Sequence, residues 1–524
     1  MKVLTAQQMG EVDNKTIEHG VPGIRLMRNA GAAVYEFIVQ LDILREDSTI
    51  VVVAGKGNNG GDGHRIAELS VRGGYRTVVV LAGTFDDVKG DAGKCLHEAS
   101  EVGAEYVSVT DANDLAAVAD AVMSADVLVD ALFGTGLTGD VTGIPAELIT
   151  FMRTSGARIV SVDIPSGVDA STGVVSSTCV MADHTVTFGL KKVGHLVYPG
   201  KLHCGDTVCV DIGFLPEVVD EQEAFAMGLT DFEARALLPV REPTSHKGST
   251  GRLAIIAGSV GMTGAAALAA GAALRTGAGL VKVGCPESLN DILEIALTEA
   301  LTVPLPEVRR KRCLALRAHG MLNELARWAD VAAVGPGLGT YRETSELIRR
   351  FVSEYTGRLV LDADGINAFA GHPELLAAAP GDIVITPHPG EMARLMDTTV
   401  ADIQADRFNW VGHTAKKTGA CVLLKGAPTL ICSPGEKIWI NTTGNESMAT
   451  AGMGDVLTGI IAGLSAQGLP TMQAAVLGAH LHGLAGETAS WIRGIYGVVA
   501  GDVRDSIPEA FLYLIDHTNE RSSL

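Results

Sequence analysis

The sequence predicts an α/β protein built as two parallel-sheet domains, each sheet covered by helices on both faces. Three observations predict this. At 524 residues the chain exceeds one typical domain. Short apolar, β-branched runs such as Thr49–Ala54 and Arg358–Asp362 alternate with Ala-rich helical stretches, the pattern of strands buried on both faces. Gly is abundant at 62 residues while aromatics make up 5%, a composition suited to helices packed closely on a sheet.

The elements follow in order. Helices are expected from about Ala6 to Val39, with Thr5 as N-cap. Thr49–Ala54 is a buried strand, and His64–Arg72 a helix. Strands recur at Arg76–Leu81, Asp126–Asp130, Arg158–Asp163, Thr185–Phe188 and Thr207–Asp211. These make a first domain over residues 1–215. An acidic stretch then interrupts the pattern, placing a boundary near Phe214–Phe232. A second domain, residues 226–515, restarts the alternation. Its strands are expected at Arg252–Ala257, Leu280–Val283, Val331–Val334, Arg358–Asp362, Asp382–Thr386 and Val422–Leu424. Ala265–Leu274 reads as a buried helix, and two further helices are expected near Asp455 and over Met472–Ser490.

Composition excludes several functions. The formal net charge is -20 with no Lys/Arg-rich run, so a nucleic-acid footprint is missing. No apolar run is long enough to span a membrane. The N-terminus lacks the apolar core of a signal peptide. Eight scattered cysteines form no CxxC, which argues against a disulfide framework or zinc site. A cytoplasmic enzyme acting on small molecules, and assembling with further copies of itself, is expected.

In the first half, Gly55-Lys-Gly-Asn-Asn-Gly-Gly-Asp-Gly63 sits between a strand and a helix. Glycines there let the backbone approach a phosphate at a helix N-terminus. The next strand carries no acid that could bind a ribose, which argues against an ordinary nicotinamide dehydrogenase. Two further runs, Asp130–Asp140 and Asp163-Ile-Pro-Ser-Gly167, each put an Asp at the carboxyl end of a strand, the edge where open parallel sheets bind ligands. Asn59, Asp130 and Ser166 offer hard oxygen ligands for an alkali or alkaline-earth cation. Each Asp taken alone could equally cap a turn.

Together these motifs resemble the NAD(P)HX epimerase family, also called the YjeF N-terminal domain. The resemblance implies a Rossmann-like three-layer sandwich. It implies potassium held by Asn59, Asp130 and Ser166. Asn58, Asn59, Gly60, Gly61 and Asp62, with Gly134, Thr135, Gly136, Leu137, Thr138, Gly139 and Asp140, would hold a hydrated dinucleotide, and Asp163 would act on it.

In the second half, four turns follow strands: Gly258–Ala266, Gly335–Gly339, Thr386–Glu391 and Lys425–Thr429. The decisive run is Ala449-Thr-Ala-Gly-Met-Gly-Asp455. Gly452 and Gly454 expose backbone N–H groups at a helix N-terminus, an anion hole, and Asp455 beside it could take a proton from an attacking hydroxyl. No GxxxxGK[ST] run is present, so this is not a P-loop enzyme. His246 reads as a solvated or capping residue, not a catalytic one.

This half resembles the ribokinase-like superfamily, and within it the NAD(P)HX dehydratases. The resemblance implies a ribokinase-like α/β domain that uses ADP and Mg2+. Ala266, Gly337 and His388 would contact the hydrated dinucleotide, and Asp455 would be the base. Lys425, Gly426, Ala427, Pro428 and Thr429 would contact the adenine nucleotide. So would Asn445, Glu446, Ser447, Met448, Ala449, Thr450, Ala451, Gly452, Met453 and Gly454. Many members carry Thr where this chain has Met453; the backbone N–H that would meet the anion is the same. The implied activity is repair of hydrated NADH and NADPH: epimerisation of the R and S forms, then dehydration of one by phosphorylation of its hydroxyl. Two rivals are a vitamin or sugar kinase fused to a non-catalytic interaction domain and, more weakly, a nucleotide sensor.

Overall fold

The computed structural model describes residues 1–516, which divide into two compact units, Met1–Ala226 and a second beginning at Met227. In the first, a short N-terminal strand β1 (Lys2–Val3) precedes helices Ala6–Glu18 and Gly23–Gln40. Thr5 caps the first helix in a reciprocal box with Gln8, as the sequence predicts. Seven strands follow: β2 (Thr49–Ala54), β3 (Arg76–Leu81), β4 (Glu105–Ser108), β5 (Val127–Ala131), β6 (Arg158–Val162), β7 (His184–Phe188) and β8 (Asp206–Val210). They form one parallel sheet in the order β4-β3-β2-β5-β6-β7-β8. Every residue of β2 and β5 is buried, so helices cover both faces.

The order reverses between β2 and β5. Loops leaving these two strands at their carboxyl ends diverge there and open a crevice. The helix after β2 begins at Asn58, not at His64 as its composition suggests. Low helix propensity of Gly hides this start. The glycines are required by packing instead: a Cβ on Gly60 would lie 2.0 Å from the Gly55 carbonyl oxygen, and one on Gly63 would lie 2.6 Å from the Ala131 side chain. The helix is thereby drawn tightly onto the sheet, and its uncapped N-terminus faces the crevice. Strand β4 is the one sequence reading misses; it is a sheet edge with exposed Glu105 and Ser108.

Strand β9 (Ala226–Gly228) spans the division. The second unit contributes β10 (Arg252–Ile256), β11 (Leu280–Pro286), β12 (Leu301–Leu305), the hairpin β13 (Glu307–Val308) and β14 (Cys313–Leu314), β15 (Val331–Val334), β16 (Arg358–Leu361), β17 (Asp382–Ile385), β18 (Cys421–Leu424), β19 (Leu430–Cys432) and β20 (Ile438–Ile440). Nine of these run β20-β19-β18-β17-β16-β15-β10-β11-β12. The pairs from β18 through β12 are parallel, and β19 and β20 add an antiparallel edge. Again the order reverses in the middle, between β10 and β15, where the Gly258 N–H donates to the Pro336 carbonyl.

Helices Thr263–Thr276 and Met453–Ala466 pack on each other over this sheet. Both are almost wholly Ala, Gly and small aliphatic residues at the contact, as the buried reading of Ala265–Leu274 requires. A Cβ on Gly459 would approach the Ala269 carbonyl oxygen to 2.2 Å and the Ala272 Cβ to 2.8 Å. Gly459→Ala is therefore expected to lower the unfolding free energy of the second unit by about 1–3 kcal/mol, through overpacking. Denaturant titration checks this, and an unchanged midpoint would show that the helices can part freely.

Candidate active sites

In the first unit, the crevice at the β2/β5 reversal is a cavity of about 800 Å³. Helix N-terminal residues Asn58, Asn59 and Asp62 line it with Gly134, Thr135, Gly136 and Leu137 from the loop after β5, and Asp163 closes it at the end of β6. Other expected contacts lie elsewhere. Gly60 and Gly61 are absent from the wall, because they pack against Gly55 and the Met27 side chain. Thr138, Gly139 and Asp140 stand exposed beyond it, with the Asp140 carboxylate accepting from Ser176 and Ser177 and so bracing that loop.

Asp163 is more than a turn cap. Its Oδ1 accepts from Lys192 Nζ at 2.6 Å and from Thr187 Oγ1 at 2.9 Å. Its backbone adopts φ +63°, a left-handed conformation costly for a non-glycine residue. Burial pushes its carboxyl up, but the Lys192 charge and hydrogen bond outweigh burial and hold it below the usual carboxylate range. Asp62, facing the same cavity, moves the opposite way: burial first, then the Asp163 and Asp13 charges, raise it well above that range. One carboxyl held low beside another pushed high is an acid–base arrangement. Lys192 and Thr187 escape sequence reasoning, because their bonds to Asp163 span 29 and 24 residues of chain.

Asp130 is fully buried, one strand over. It accepts from Ser161 Oγ, the Ser166 N–H and Ser166 Oγ at 2.8, 2.8 and 2.5 Å. Asn59 Oδ1 lies against Gly134, and Asn59 Nδ2 has no hydrogen-bond partner. All three expected cation ligands thus hang on the same sheet edge.

In the second unit, Gly452 takes φ +91° and starts the helix Met453–Ala466, with no side chain capping the free N–H groups. Asp455 lies in the first turn. Lys425, at the end of β18, reaches across to Asp362, at the end of β16, with Nζ 2.6 Å from Oδ1. A Cβ on Gly454 would lie 3.0 Å from that same Nζ, so the anion hole and the lysine adjoin. Burial, then the Asp362 charge, push Asp455 up to about 7, against a lowering by Lys425. That is where a general base operates best at neutral pH.

His388 caps the helix Pro389–Met396 through Nδ1, is half-exposed, and is shifted down by burial and then by Lys425. Gly337 has φ +61°, and a Cβ there would meet the Met262 carbonyl oxygen at 2.7 Å. Ala266 is fully buried, so its side chain offers no surface to a ligand, while Val260, Gly261, Met262 and Gly264 of the same turn are exposed. Arg407 donates to the carbonyls of Leu424, Lys425 and Pro428, shaping the Lys425–Thr429 loop; burial lowers it to about 10. Ala449, Thr450 and Ala451 are exposed, while Asn445 holds Ser447 and Ser490. His246 accepts from the Gly248 N–H and is exposed, a capping residue as read from sequence. Asp362 ends an expected strand, but sequence reasoning assigns it no role; its partner Lys425 lies 63 residues away. All eight cysteines are unpaired.

A repair enzyme of Moorella thermoacetica, described as a bifunctional NAD(P)H-hydrate repair enzyme, is 41% identical over 97% of this chain and 96% of its own length. The chain belongs to the family of bifunctional NAD(P)H-hydrate repair enzymes. A second member, from Salinibacter ruber, is 38% identical over 97% of this chain and 95% of its own length. The family's two parts match separately: the YjeF-related protein N-terminus over residues 23–194 and NAD(P)H-hydrate dehydratase over residues 253–509. A solved ADP/ATP-dependent NAD(P)H-hydrate dehydratase from Bacillus subtilis is 28% identical, covering 55% of this chain and 99% of its own, with TM-score 0.48. As a family member the chain is a cofactor-repair enzyme with an epimerase unit followed by a dehydratase unit.

The raised Asp455 sets a pH dependence. Asp455 binds its proton more tightly folded than unfolded, so the base form is present only above about 7. Dehydration is expected to rise with pH through about 7, and the stability of the second unit to fall over the window from about 4 to 7 as the unfolded carboxyl ionises first. Asp362→Asn removes the charge that raises Asp455 most after burial, so the limb should move to lower pH. Single-turnover rates against pH decide; a limb that stays put in a folded variant would show that Asp362 does not tune Asp455.

Proposed function

We propose that the second unit dehydrates hydrated NADH or NADPH by phosphoryl transfer from ADP, releasing AMP and phosphate, and that the first interconverts the R and S hydrates. The observation that carries the first half of this reading is Asp455 at about 7 beside an uncapped helix N-terminus and Lys425. Hydroxide leaves poorly. A phosphoryl group placed on the hydroxyl makes a good leaving group, and the ring nitrogen lone pair then expels phosphate. Asp455 takes the hydroxyl proton, while the N–H groups at Met453 and Gly454 and the Lys425 ammonium meet the phosphoryl charge. Lys425–Thr429 and Asn445–Gly454 hold the nucleotide; Gly337 and His388 face the hydrate. The choice of ADP rests on the resemblance to bacterial and archaeal members, as does Mg2+, which supplies charge neutralisation on the nucleotide phosphates when bound.

In the first unit, Asn59, Asp130 and Ser166 would hold potassium. Their fit is supported by the chemistry of the set: oxygen donors on one edge, around a buried carboxylate whose described partners are hydroxyls and N–H groups. Such an ion supplies positive charge for the substrate diphosphate, which a chain of net charge -20 otherwise repels. The helix N-terminus at Asn58 adds to it. Asp163 acts on the hemiaminal carbon, where inversion needs a bond to open and reclose.

Incubation with the epimer mixture and ADP is expected to yield one AMP and one phosphate per cofactor recovered. Asp455→Asn should slow this by about 10²–10⁴ and leave epimer exchange intact. Repair with no nucleotide present would exclude phosphoryl transfer. Asp163→Asn is expected to stop epimer exchange while sparing dehydration of the correct epimer. It also leaves the Lys192 charge buried without its partner, at a cost of about 3–5 kcal/mol, so melting is measured on the same preparation. A destabilised but active variant would make Asp163 a structural residue.

A further inference from the structure

We infer that Lys192 is a positioning residue of the epimerase site, holding the Asp163 side chain and its strained backbone in one reactive arrangement; this rests on the assignment of Asp163 to epimerisation. Lys192 is fully buried, and with Phe351 and Phe369 it is among the bulkiest fully buried side chains of the described residues. A lysine is rarely buried completely unless something specific demands its charge. Its Nζ donates to Asp163 Oδ1 at 2.6 Å, to Thr187 Oγ1 at 2.9 Å and to the Phe188 carbonyl at 3.2 Å. All three ammonium hydrogens are thereby directed, and the stem lies in the cavity wall beside Asp163.

The same residue grips Asp163 a second time through its backbone. The Lys192 N–H donates to His195 Nδ1 at 3.0 Å. That fixes the proton on Nε2, which meets the Asp163 carbonyl at 2.8 Å. Burial, then the Lys192 charge, lower His195 to about 4, so the ring is neutral at physiological pH. The Asp163 N–H is meanwhile bound to the Val186 carbonyl. Carbonyl, N–H and carboxylate of a residue at φ +63° are all tied, two of them through Lys192. Strain of this kind persists only where the surroundings over-determine it.

Lys192, His195 and Thr187 act on Asp163; Asp62, from the helix Asn58–Arg72, and Cys209 feel its charge, and Asp13, from the helix Ala6–Glu18, lines the same cavity. Of these, only Lys192 brings a positive charge within hydrogen-bonding distance. Without it, burial raises Asp163 against only the smaller lowering by His195 and the Thr187 hydrogen bond.

The test uses the full chain with Lys192→Met and Lys192→Arg, following epimer exchange against pH, with dehydration of the correct epimer as the control on the same preparation. Lys192→Met is expected to lose at least tenfold in exchange at neutral pH, with the acid limb moved up by a pH unit or more and KM within a few-fold. Lys192→Arg, which keeps the charge, is expected to return the limb towards that of the wild type. Should Lys192→Met not fold, Thr187→Val removes a single hydrogen bond from the same cluster and should move the limb in the same direction by less. A wild-type profile in a folded Lys192→Met protein overturns the inference, and so does a loss that is equal at every pH. If Asp163→Asn itself exchanges epimers normally, the assignment of Asp163 fails; if Asp163→Asn is inactive and Lys192→Met is not, only the role of Lys192 fails.

Discussion

Each unit is organised around a carboxylate that a parallel sheet buries at the carboxyl end of a central strand, and that therefore must be paired. Asp163 follows β6 and Asp362 follows β16. Each accepts a threonine hydroxyl from the neighbouring strand, Thr187 at 2.9 Å and Thr386 at 2.7 Å, and each carries a lysine ammonium at 2.6 Å. A buried ion pair adds little net stability, because desolvation offsets its attraction, but losing one partner is costly. The pair is thus retained for where it puts charge. The lysines come from different places, Lys192 beyond the adjacent strand β7 and Lys425 beyond β18, so the likeness lies in the physical solution, not in the order of residues.

That paired carboxylate sets the behaviour of a second one. Asp62 feels Asp163 and Asp455 feels Asp362, and burial with this like charge raises both. In each site one carboxyl is raised beside another that is paired with a lysine. For the dehydratase unit the useful partner is the raised one, since a base near 7 can both take and surrender a hydroxyl proton. For the epimerase unit a bond must open and reclose at one carbon, which suits two carboxyls shifted in opposite directions and facing one cavity.

An acidic protein that handles doubly charged dinucleotides needs local positive potential. Both units take it from the same source, a helix N-terminus left uncapped behind a glycine: Gly57 before Asn58 and Gly452 before Met453. The glycines serve packing as much as access. Gly60 and Gly63 let the first helix seat on its sheet, and Gly459 lets the second seat on Thr263–Thr276. Ligand approach and core packing are therefore met by the same small residues.

The class of fold, both sheets' central strands, the Thr5 cap and the loops at the candidate sites are legible in the sequence alone. This is so because strands buried on both faces read as unbroken apolar runs and because ligand loops in such sheets follow strand ends. Asp163 and Asp455 were legible for that reason. The start of the helix at Asn58, the edge strands β4, β12, β19 and β20, and the inward packing of Ala266 were decided only by tertiary structure, since Gly-rich and short half-exposed segments take the conformation their neighbours impose. Lys192, Asp362 and Arg407 belong there too. Their partners lie 29, 63 and 17–21 residues away in sequence, and a charge looks the same in a sequence whether water or a buried carboxylate is to surround it.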